Sequence, residues 1–114
     1  MKINSRDKGA RYERHIAQRL REYGYEAERG CQHSGGKDSP DVKCNMVGIH
    51  WECKKVEHLN IWNALHQSAD DAGEDEIAAV VFSRNREKDY VAVPFESFME
   101  LYSAWEKENA TIKE

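Results

Sequence analysis

Polar and apolar positions repeat with different periods along the chain, and each period predicts an element. Between Ser5 and Tyr23 the spacing is helical. At 100° per residue Gly9, Ala10, Ile16, Ala17, Leu20 and Tyr23 gather on one side, with Arg11, Arg14, Gln18 and Glu22 opposite. Asn4 or Ser5 can cap this helix, and Gly24 can end it by taking positive φ. Residues 25–29 read as a short strand, and residues 30–39 as a polar, glycine-bearing loop. Residues 41–45 predict a second strand that turns through Met46-Val47-Gly48 into a third at residues 49–55. There Ile49, Trp51 and Cys53 point one way, and His50, Glu52 and Lys54 the other. A second helix over residues 60–73, capped by Asn60, has Ile61, Trp62, Leu65 and Ala69 as its apolar side. Residues 77–82 form a continuous apolar run of strand character, which predicts burial on both faces. After a turn at 85–88, residues 90–93 form a last strand that Pro94 ends. A final helix over 95–106 carries Phe98, Leu101, Tyr102 and Trp105, which could serve as a subunit interface but are expected to pack on the core.

The order helix, three strands, helix, two strands, helix calls for a central sheet flanked by helices, an α/β fold. At 114 residues the expectation is one domain with one core, spanning 1–114. No repeat is visible. Charged residues make up 33% of the chain, and no apolar run approaches the roughly 20 residues a membrane span needs. The first residues hold no apolar segment of the secretory kind, so a cytoplasmic location is expected, with no membrane partner.

Charge changes this picture. Residues 1–37 hold nine Lys/Arg against five Asp/Glu, whereas residues 56–114 hold five against thirteen. A basic leading third is compatible with binding a polyanion on one face despite the net charge of −4. Cys31, Cys44 and Cys53 show no CxxC unit. With His33 and His50 they could form a zinc site, through Cys31-x-His33 and His50-x-x-Cys53 half-sites or as the set Cys31, His33, Cys44 and Cys53, although buried reduced thiols are the simpler reading.

Three carboxylates need explaining. Glu13 falls in the middle of the first helix's apolar side, where a charge is costly unless paired, for instance with Arg29. Asp41 begins one strand and Glu52 lies within the next, so the two can share a face of adjacent strands. Like charges held that close stay ionised together only with a cation between them, and hard oxygen ligands suit Mg²⁺ or Mn²⁺. Lys54, two residues after Glu52, would bring an ammonium to the same place. This set fits phosphodiester hydrolysis, in which the ion activates water and the lysine stabilises charge on phosphorus.

Pro40-Asp41 followed by Glu52-Cys53-Lys54 resembles the PD-(D/E)XK nuclease signature, and the element order is similar to that superfamily's αβββαβ, restriction-endonuclease-like core with its mixed sheet. Residues 8–30, KGARYERHIAQRLREYGYEAERG, resemble the opening helix and strand of archaeal-type Holliday-junction resolvases, with a glutamate at Glu13. The resemblance spans about 6–94, leaving the helix at 95–106 and a frayed tail outside it.

The resemblance implies that Asp41 and Glu52 bind Mg²⁺, helped by the main-chain carbonyl of Cys53, that Lys54 is catalytic, and that Glu13 binds a metal-linked water or second ion. Ser34 or Ser39 would assist from the loop, and Arg6, Lys8, Arg11, Arg29 and Lys55 would contact DNA phosphates. It also implies a homodimer cutting two strands of a four-way junction, in recombination, repair or phage DNA processing. Gln67 resembles a glutamine of the VRR-NUC group, nucleases that also act on branched DNA, and would be an accessory residue. A non-catalytic DNA-binding module with a vestigial acidic cluster is the alternative from another class.

Overall fold

The computed structural model describes residues 5–30 and 40–113, and the side chains of 6–30 and 40–110. Asn4, Cys31, His33, Ser34 and Ser39 lie outside the described residues. The elements are α1 (Ser5–Glu22), β1 (Ala27–Arg29), β2 (Val42–Cys44), β3 (Ile49–Lys55), α2 (Ile61–Asp71), β4 (Ile77–Ser83), β5 (Tyr90–Ala92) and α3 (Phe95–Lys113). The predicted order is therefore the observed one. Strands β1, β2 and β5 are shorter than their patterns suggested, and α3 is longer.

All five strands form one sheet in the order β1-β2-β3-β4-β5, antiparallel except for the parallel pair β3 and β4. The mixture follows from the connections: α2 supplies the long crossover that parallel neighbours need, while short turns join β2 to β3 and β4 to β5. Gly24 ends α1 at φ +96°, where Gly24 N–H donates to the Arg21 carbonyl (2.9 Å) and Tyr25 N–H to the Leu20 carbonyl (3.2 Å). Asn60 caps α2, its side-chain oxygen accepting the Asn63 N–H at 3.1 Å.

The two faces of the sheet are covered differently. Tyr12, Ile16, Ala17 and Leu20 of α1 pack on Val42, Trp51, Cys53, Ala79 and Val81. Tyr12, left out of the expected apolar side although it lies one turn before Ile16 on that same side, is 2% exposed, and its hydroxyl donates to Asp89 at 2.8 Å. Tyr23, predicted on the apolar side, is exposed beyond the last turn of α1.

On the other face α2 packs against β4 and β3 through Ala64 and Ser68, small residues that permit close approach. Trp62 and Ala69, expected on the apolar side of α2, are exposed instead. Helix α3 departs furthest from expectation. It is not packed against the sheet, and Phe98, Leu101, Tyr102 and Trp105 are each between 42% and 56% exposed. The aromatic spacing is that of an amphipathic helix, but its apolar face covers no core among the described residues.

Candidate active site

The site begins with the antiparallel pairing of β2 and β3, in which Val42 stands opposite Trp51. The preceding residue, Asp41, is thereby placed beside Glu52 on the face away from α1. Backbone bonds fix it there: Asp41 N–H donates to the Trp51 carbonyl (2.9 Å), and its own carbonyl accepts the Gly30 N–H (2.8 Å). Its carboxylate turns onto the neighbouring strand, where Oδ2 accepts the Cys53 N–H at 2.8 Å. A Cβ on Gly30 would collide with the Pro40 carbonyl, so glycine is required where β1 passes the Pro40-Asp41 segment.

Glu52 is 2% exposed on β3. Burial, then the charge of Asp41 and a hydrogen bond with it, raise its pKa far above the usual carboxylate range, and the nearby Lys54 ammonium opposes the shift. Two adjoining carboxyls whose joint ionisation is resisted in this way form a donor set for a hard cation, which would relieve the repulsion. The residues fit the ion expected from sequence. Lys54 Nζ donates to Gln67 Oε1 of α2 at 3.1 Å, so the crossover helix holds the ammonium beside the acids.

Glu13 is only partly in this group. Burial, and after the opposing Arg29 hydrogen bond the charge of Asp41, act to raise its pKa, which places it in the same electrostatic neighbourhood. Its Oε1, however, accepts the Arg29 Nε–H at 2.7 Å. Among the described residues no three His, Cys, Asp or Glu side chains form a group able to hold a metal. The expected trio is therefore an Asp41–Glu52 pair with Glu13 held alongside by Arg29. The Glu13–Arg29 pair is the one the sequence suggested, since a carboxylate on the buried side of α1 needs a cation within reach; the Arg29 Nε that forms it is turned to Glu13.

Of the zinc set, Cys53 is buried and Cys44 packs against the α1-side core. Burial, followed by the charges of Asp41, Glu13 and Glu52, pushes the Cys53 thiol pKa up, as for a buried reduced thiol. Arg6 is exposed in the first turn of α1. Lys8, Arg11 and Lys55 line one depression together with Tyr12, His15 and Asn85, and Lys55 Nζ lies 5.7 Å from the centre of the Tyr12 ring. Sequence reasoning missed Asp89, and weighed His50 only as half of a zinc site with Cys53, not as a neighbour of Glu52. His50 shares the Glu52 face by simple alternation, but only the structure reveals that it is 1% exposed and 3.3 Å from Glu52 Oε1.

No helix is long and apolar enough to cross a membrane among the described residues. No curated protein and no solved structure matches the chain. The PD-(D/E)XK resemblance read from the motif residues is independently supported by a family model. That model, described as "Phage putative PDDEXK endonuclease", matches residues 4–114, and the chain belongs to this family of the PD-(D/E)XK nucleases.

Proposed function

We propose that this chain is a Mg²⁺-dependent, structure-selective endodeoxyribonuclease that hydrolyses phosphodiester bonds in branched DNA, with the four-way Holliday junction as its principal substrate. The observation that carries the reading is the Asp41–Glu52 pair on adjacent strands with Lys54 held beside it by Gln67. Bound at the carboxylate pair, Mg²⁺ supplies charge neutralisation and a water of lowered pKa, and Mn²⁺ is expected to substitute. Asp41 and Glu52 would hold the ion, and the Cys53 N–H orients Asp41 for that task. Lys54 places a positive charge where the phosphorane develops, and Gln67 limits its freedom.

Lys8, Arg11 and Lys55, gathered around the Tyr12 ring, support contacts with non-scissile phosphates, which supply affinity and register without sequence information. Cutting two opposed strands requires two copies, and the exposed aromatic face of α3 favours a homodimer.

The deciding experiment incubates purified protein with a labelled four-way junction and its separate duplex arms, in Mg²⁺ and in EDTA. Mg²⁺-dependent incision of the junction, with the arms left intact, is expected. Folded protein that incises neither substrate overturns the proposal, and equal incision of the arms overturns the junction preference alone.

A further inference from the structure

We infer that His50 is a positioning residue that fixes one oxygen of Glu52 and thereby sets the affinity of the site for its cation. The inference rests on the reading of Glu52 as a metal ligand. His50 precedes Glu52 by two residues on the same face of β3 and is among the largest fully buried side chains. Its Nε2 lies 3.3 Å from Glu52 Oε1 and its Nδ1 3.6 Å from Glu76 Oε1. Glu76 Oε1 in turn accepts the Gly73 N–H at 2.8 Å, in the turn that leads from α2 into β4. A row of polar groups therefore runs from that turn through the imidazole to the carboxylate.

Packing does not account for this arrangement. His50 pairs across the sheet with Ala78, and an aliphatic side chain would fill the space without bringing two ring nitrogens that must be satisfied in the interior. The imidazole supplies what an aliphatic group lacks, a donor on Glu52 Oε1. With Oε1 engaged, the carboxylate rotamer is set and Oε2 is the oxygen left for the ion. A ligating carboxylate is ordinarily hydrogen-bonded in this way, and loss of the supporting partner weakens metal binding about 10- to 100-fold.

The test measures Mn²⁺ binding to the DNA-free protein by calorimetry or electron paramagnetic resonance. His50→Gln keeps an N–H donor, whereas His50→Met fills similar volume without one. The Met variant is expected to bind Mn²⁺ roughly 10- to 100-fold more weakly than wild type, with the Gln variant recovering most of that loss. A folded His50→Met protein that binds as tightly as wild type overturns the inference. A His50→Gln protein as weak as the Met variant also overturns it. Should the Met variant fail to fold, Glu76→Ala at its exposed position replaces it: weakened Mn²⁺ binding supports the row of groups, and unchanged binding overturns it. Wild-type protein that binds no Mn²⁺, or Glu52→Gln protein that binds it undiminished, defeats the reading of Glu52 as a ligand and the inference with it.

Discussion

Lys54 of β3 and Gln67 of α2 are joined by a 3.1 Å hydrogen bond between residues 13 positions apart, which ties the candidate catalytic ammonium to the crossover helix. Lys54→Met is expected to reduce junction cleavage by at least about 100-fold, the scale of losing a charge aimed at the transition state. Gln67→Leu leaves the lysine present but unheld and is expected to cost on the order of 10-fold through misplacement. DNA affinity measured in Ca²⁺ or EDTA should change little in either variant, and a matching loss of binding would count against this assignment.

Asp41→Asn removes a proposed metal ligand while its side-chain oxygen can still accept the Cys53 N–H. Cleavage should be abolished and DNA binding kept. Because Asp41 is also the charge that most opposes ionisation of Glu52, the metal-free variant should melt no lower than wild type. A large fall in melting temperature would show that the carboxylate is structural.

Gly30→Ala is expected to damage the site through the backbone. The added methyl meets the Pro40 carbonyl, and relief requires the Pro40-Asp41 segment to move. A stability loss of about 1–3 kcal/mol is the usual scale of such overpacking, and cleavage should fall even at temperatures where the variant remains folded. Chemical denaturation paired with a junction assay checks both parts.

Asp89 accepts hydrogen bonds from Tyr12, His15 and Arg19, joining the turn before β5 to α1. Burial by itself would raise its pKa, but the hydrogen bonds from Arg19, His15 and Tyr12 outweigh that effect and lower it. A carboxylate depressed by folding contributes stability above its unfolded pKa of about 3.9 and loses it as pH falls through the lower folded value. Asp89→Asn should therefore melt below wild type at pH 7, with the gap closing as pH drops below about 4. A gap unchanged at acid pH would assign the effect to packing.

The α3 face separates pattern from packing. Phe98→Ser and Trp105→Ser should each shift stability by no more than about 0.5 kcal/mol in dilute protein, as exposed positions do. Had these rings closed the core as their spacing suggested, truncating them would cost about 3–5 kcal/mol. Denaturant melts at low concentration distinguish the two values.

Local rules determined a large part of this protein. Alternation in Ile49–Lys55 put Glu52 and Lys54 on one face, the unbroken apolar run placed β4 inside the sheet, and Asn60 and Gly24 marked helix ends, because each depends only on neighbours along the chain. Periodicity identifies an apolar side but not what lies against it. Hence Tyr23 proved exposed, α2 approached the sheet through Ala64 and Ser68, and α3 faced solvent. The site divides in the same way. Asp41, Glu52 and Lys54 were legible as a motif, and Arg29 as a partner for Glu13, but the tertiary fold decided that Gln67 reaches Lys54 and that His50 is enclosed against Glu52. Burial, charge pairing and hydrogen-bond direction depend on residues remote in the chain, and only the packed sheet and helices bring those together.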